Sequence, residues 1–185
     1  METQGAALRK LPKVDLHRHL EGALRFSTLI ELAKSSGQNV PSDPAAQRKQ
    51  FLVEEPMTDL VAVLRKFGAT QKVLDSEEVL ARITYEAVED AVKEGIRILE
   101  LRYAPTFILE GHANLNFEKI HRGILKGLSL ASKLPIAVGL LCIFQRTQSH
   151  KTQDRVFDFM MDTKNTWIGA DLADDEQNHP AKELC

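Results

Sequence analysis

Four short apolar runs alternate along this chain with stripes of helical period, and that alternation restricts the fold more than any other feature. The runs are Lys13 to Leu20, Ile96 to Tyr103, Ile136 to Phe144 and Trp167 to Leu172. Each is brief, lies near a turn signal and reads as a buried strand. Between them run amphipathic stripes. Leu29, Ile30 and Ala33 follow a Thr28/Glu31 capping box and precede Gly37. Leu60, Val63, Leu64 and Phe67 follow Pro56, a residue suited to a first helical position. Asp75 with Glu78 opens the stripe Leu80, Ile83, Ala87, Ala91, which stops before Gly95. Ile120, Ile124, Leu125, Leu128 and Ala131 form the next stripe, and Val156, Phe159 and Met160 a shorter one. Strand, helix, strand in repetition implies parallel βα units. A small doubly wound sheet and the first half of a (β/α)8 barrel of about 250 residues both satisfy the pattern. The Gly-rich phosphate loop of a nucleotide-binding sheet is absent, since Gly22 stands alone after the first run, and this favours the barrel.

Charge narrows the partners. Lys plus Arg number 24 against 26 Asp plus Glu, a net charge of −2, so no basic excess exists to neutralise a phosphate backbone, and nucleic acid is not expected as a partner. No apolar window reaches the length of a membrane span and the first ten residues lack a signal-peptide core, so no membrane association is expected. The two cysteines, Cys142 and Cys185, form no CxxC pair, which fits a reducing, cytoplasmic setting.

The densest chemistry is Val14-Asp15-Leu16-His17-Arg18-His19-Leu20-Glu21-Gly22. On a regular strand His17 and His19 point the same way with Asp15 beneath them, while Val14, Leu16 and Leu20 point to the other side. Two imidazoles then converge at the C-terminal end of a first barrel strand, where such barrels hold their active sites, as half of a metal site. Two histidines that merely alternate remain the plain alternative. His19-Leu20-Glu21 also matches the H-x-E of cytidine-type zinc deaminases, but the P-C-x-x-C partner of that motif is absent. His112, His121, His150 and His179 have no partner at ligand spacing and are expected on loops or helix surfaces.

Leu11-Pro12-Lys13-Val14-Asp15-Leu16-His17-Arg18-His19-Leu20-Glu21-Gly22-Ala23 resembles the opening strand of the adenosine deaminase family, metal-dependent enzymes of the amidohydrolase superfamily. Lys93-Glu94-Gly95 with Leu99-Glu100-Leu101-Arg102-Tyr103-Ala104-Pro105 resembles the second strand of that family, and Leu141-Cys142 near Arg146 the third. Gly169-Ala170-Asp171-Leu172-Ala173-Asp174-Asp175-Glu176 is similar to the fourth.

The resemblance implies an α/β TIM barrel of which residues 1–185 form the N-terminal part, covering about the first four βα units of a single domain. It makes His17 and His19 ligands of one divalent metal, Zn2+, with His19 also beside the substrate, and gives Glu21 the acidic position near the sugar. Leu60, Leu64 and Phe67, with Val63, resemble an apolar lid helix over a purine pocket, although a stripe buried in the core reads equally well. Asp174 stands where the family usually has a glycine whose backbone N–H faces the purine, and Glu21 replaces the usual aspartate. The third metal histidine, the proton-transferring glutamate, the water-activating histidine and the aspartate ligand of the family come from later strands, so catalytic residues are expected beyond Cys185. The implied whole enzyme hydrolyses adenosine or a related 6-aminopurine nucleoside or base, with this chain alone inactive. Another amidohydrolase chemistry, or a non-catalytic metal-binding or interaction module, stays open beside it. Open barrel edges would also allow self-association.

Overall fold

The computed structural model describes residues 5, 8, 11–57 and 60–180, and for 60–62, 64 and 65 the backbone alone. Strands β1 (Lys13–His19), β2 (Ile96–Tyr103), β3 (Ala137–Gln145) and β4 (Gly169–Ala173) form one sheet. All neighbours are parallel and the spatial order is β1-β2-β3-β4. A doubly wound sheet reverses its strand order at a switch point, whereas a barrel adds each strand beside the last. The unreversed order is that of four consecutive βα units of a barrel.

Helices α1 (Phe26–Ser35), α2 (Pro44–Phe51), α3 (Leu60–Gln71) and α4 (Glu77–Lys93) lie between β1 and β2. Helices α5 (Pro105–Leu109) and α6 (Phe117–Leu130) precede β3, and α7 (His150–Asp162) precedes β4. α2 and α5 have no counterpart among the helical stripes read from the sequence. Two helix starts also differ from expectation. α1 begins at Phe26, with no side chain capping it, and the Thr28 hydroxyl instead donates to Glu86 Oε2 on α4 at 2.7 Å. α4 is capped by Ser76, whose side chain accepts from Val79 N, rather than by Asp75. Pro56 lies in the irregular segment between α2 and α3, outside the described helix Leu60–Gln71. Gly95, at φ 83°, ends α4 and turns the chain into β2, a left-handed conformation that favours glycine.

The core lies between the sheet and the helices. Leu99, Leu101, Tyr103 and Leu140 are buried with Ile83, Ala87, Ile120 and Ile124. The opposite face of the sheet is open, so the expectation of strands buried throughout does not hold. Val14 and Ile98, paired across β1 and β2, are 56% and 49% exposed, and Ile168 beside β4 is 61% exposed. A barrel strand buries its inward side chains against strands across the lumen, and four strands supply no such opposite wall.

Candidate metal and substrate site

The register of β1 against β2 explains how the histidines are aimed. Asp15 pairs with Leu99, but Arg18 pairs with Leu101 and His19 with Arg102, so three steps on β1 oppose two on β2. This is a bulge, and it switches the face to which each later residue points. Asp15 and Arg18 therefore share the outer face with Leu99 and Leu101, and Arg18 donates from Nε to Asp15 Oδ2 at 2.8 Å and from Nη2 to Glu94 Oε2 at 2.7 Å. The expected position of Asp15 beneath the two histidines is thus corrected. A one-residue insertion breaks the period of two on which that expectation rested.

His17 and His19 do converge. Their Nε2 atoms are 3.1 Å apart and their ring centroids 5.1 Å. Two nitrogens bound tetrahedrally to one zinc, each at about 2.0–2.1 Å, stand about 3.3 Å apart, so the pair fits two ligand positions of one ion. Among the described residues no group of three or more His, Cys, Asp or Glu side chains could hold a metal. Burial holds the His19 imidazole below its ordinary pKa, with the charges of His17 and Arg102 adding to the effect and Asp171 opposing it. A neutral imidazole is the metal-binding form.

Phe67 packs edge-on to His19, with ring centroids 6.1 Å apart, and lies directly over Gly22. A β-carbon at Gly22 would come within 3.0 Å of the Phe67 ring, so glycine there lets the end of α3 settle on the C-terminal end of β1. A cleft of about 450 Å³ opens along the free edge of β1, lined by His17, His19, Gly22 and Phe67 and reaching Asp90 and Glu94. The side chains of Leu60 and Leu64 lie outside the described residues.

Glu21 sits in the 3-10 turn after β1, 2% exposed, with Oε1 accepting from Ala104 N at 2.6 Å and Oε2 unpartnered. Burial pushes its carboxyl up to about 7. Asp174, just after β4, has φ 91°. Its carboxylate turns back toward β3, accepting from Thr147 Oγ1 at 2.6 Å, Gln145 Nε2 at 3.1 Å and Asp175 N at 2.9 Å.

Sequence reasoning passed over Arg102, which crosses the inner face to Asp171 Oδ2 at 2.5 Å and donates to Leu16 O at 2.6 Å. The available signal was the alternation Leu99-Glu100-Leu101-Arg102-Tyr103, which puts a charge opposite an apolar face. His121 is corrected from a surface residue to a buried one. It hydrogen-bonds the Tyr103 hydroxyl and Thr166 Oγ1, each at 2.8 Å, and stacks on Trp167.

A parallel half-barrel with paired histidines at the end of its first strand is an α/β barrel scaffold whose chemistry gathers at the C-terminal face of the strands. The family model "Adenosine deaminase" matches residues 12–184, and the chain belongs to that family. An adenosine deaminase of Shewanella halifaxensis is 39% identical over 126 residues, 68% of this chain and 38% of its own length. One of Pseudoalteromonas translucida is 31% identical over 176 residues, 94% of this chain and 53% of its own. A Burkholderia ambifaria amidohydrolase solved with bound Zn superposes with a TM-score of 0.83 at 26% identity, covering 98% of this chain and 50% of that one. The chain thus spans about half the length of the relatives it matches.

Proposed function

We propose that these residues form the N-terminal part of a single barrel domain whose complete form hydrolyses the 6-amino group of adenosine or a related purine, releasing ammonia. The observation that carries this reading is the convergence of His17 and His19 Nε2 at 3.1 Å on the first strand of a chain in the adenosine deaminase family. The two imidazoles would hold a zinc ion, the metal bound in the Burkholderia structure. When bound, zinc supplies a water acidified to a pKa of about 7 and hence a hydroxide nucleophile at neutral pH.

The remaining assignments concern this chain's own side chains. The lowered pKa of His19 favours the neutral imidazole that binds metal, and His19 would also stand beside the substrate. Phe67, with Leu60 and Leu64 on the same helix, would close an apolar lid over the purine and exclude water. Glu21 Oε2, buried and without a donor, would accept from a sugar hydroxyl. The Asp174 amide would face the purine edge, and folding its carboxylate onto Gln145 and Thr147 leaves that approach to backbone.

The test is release of ammonia by the whole protein from adenosine and adenine, and of the corresponding amine from N6-substituted nucleosides. Turnover of at least one 6-aminopurine, lost in His17→Ala, is expected. Full turnover in that variant, or activity confined to substrates without a purine amine, would overturn the proposal.

A further inference from the structure

The bulge in β1 leaves polar backbone groups that the ladder with β2 does not absorb, and two side chains hold the segment from opposite sides. On the inner face Arg102, 6% exposed, donates from Nη2 to Leu16 O at 2.6 Å while Nη1 is held by Asp171 Oδ2 at 2.5 Å, so the guanidinium ties β1 to β4. On the outer face Asp15 Oδ1 accepts the backbone N–H of His17 at 3.1 Å, and its Oδ2 takes Arg18 Nε, itself anchored on Glu94. The carbonyl just before His17 and the amide of His17 itself are therefore both fixed by side chains. Without the extra residue, Asp15 and His17 would share a face; with it, Asp15 turns outward while both imidazoles meet.

We propose that Arg102 and Asp15 are positioning residues that clamp the β1 bulge and so aim His17 at the point where it meets His19, a role that rests on the metal-site reading above. A planar fork braced by a carboxylate holds a carbonyl in one direction, which a flexible ammonium does less well. Groups that orient metal ligands typically cost about 10–100-fold in metal affinity when removed.

The test uses the full chain, titrated with Co2+ and followed by its visible spectrum, together with amide hydrogen exchange at His17. Arg102→Met and Asp15→Ala should each weaken Co2+ binding by about 10–100-fold, change the absorption bands and speed His17 exchange. Asp15→Asn, which keeps the Oδ1 acceptor, should stay within about threefold of wild type in affinity. His121→Gln, destabilising but remote from the histidine pair, should leave affinity and spectrum unchanged. Folded Arg102→Met and Asp15→Ala proteins with wild-type His17 exchange would overturn the clamp, whether or not metal binds. Faster exchange in both variants of a chain that binds no Co2+ would uphold the clamp and sink the metal-site reading instead.

Discussion

Asp174 carries opposing local effects. A left-handed backbone costs a non-glycine residue about 1–2 kcal/mol, and Asp174→Gly removes that cost. The same change deletes a carboxylate that accepts from Thr147, Gln145 and Asp175, at about 1 kcal/mol for a typical net bond. Three such bonds outweigh the relieved backbone cost, so Asp174→Gly should lower the thermal unfolding midpoint modestly, while discrimination among adenosine, adenine and N6-substituted nucleosides changes more than the maximal rate does. An unchanged substrate profile in the whole enzyme would remove Asp174 from the pocket. At His121, burial lowers the pKa to about 4 from an ordinary value near 6.5. The unfolded chain then binds more protons between those values, so this contribution to stability is complete above pH 6.5 and is lost as pH falls toward 4. Unfolding midpoints measured from pH 7 to 4 should fall more steeply for wild type than for His121→Phe; parallel curves would contradict the assignment. The pairing of His17 with His19 was legible because residues two apart on a strand share a face. The outward turn of Asp15 was not, since a bulge is specified by Arg102, 87 positions away from Asp15, and Glu94 rather than by local sequence. Burial of His121 was hidden for the same reason, its partners Tyr103, Thr166 and Trp167 being remote in the chain.

Helices α4 and α6 pack closely through two glycines of α6. A β-carbon at Gly127 would stand 2.5 Å from Ala81 O and 2.6 Å from Thr84 Cβ, and one at Gly123 2.8 Å from Glu77 O. Alanine is the better helix former by about 1 kcal/mol, but overpacking a buried contact with backbone costs about 1–3 kcal/mol, and backbone cannot rotate away. Gly127→Ala should therefore destabilise the chain, by up to about 2 kcal/mol in chemical denaturation; stabilisation would mean that the helices are not in contact there. Ser76→Ala should cost about 1 kcal/mol, and Asp75→Ala less, because the Ser76 side chain takes the Val79 amide. Helical stripes and glycine stops were readable from periodicity. The choice between neighbouring caps was not, because it depends on backbone angles set by packing, and Thr28 was drawn away from capping by the buried Glu86.

At the scale of the molecule, the alternation of strand and helix was enough for parallel βα units, and the unreversed strand order resolves the barrel from the doubly wound sheet. Among the described residues, the free edges at β1 and β4 and the exposed Val14, Ile98 and Ile168 make an apolar, unpaired surface. The 185 residues by themselves should self-associate or bind a hydrophobic dye in light-scattering and fluorescence measurements; a monodisperse monomer that binds no dye would contradict an open inner face. No helix among the described residues is long and apolar enough to cross a membrane. The most direct measurement of the central claim, a metal centre begun by two histidines of the first strand, is calorimetric titration of the 185 residues by themselves with Zn2+. One ion per chain is expected, bound weakly because two imidazoles leave at least two positions to water, with binding abolished by the double change His17→Ala and His19→Ala. A tight site that survives the double change would contradict it.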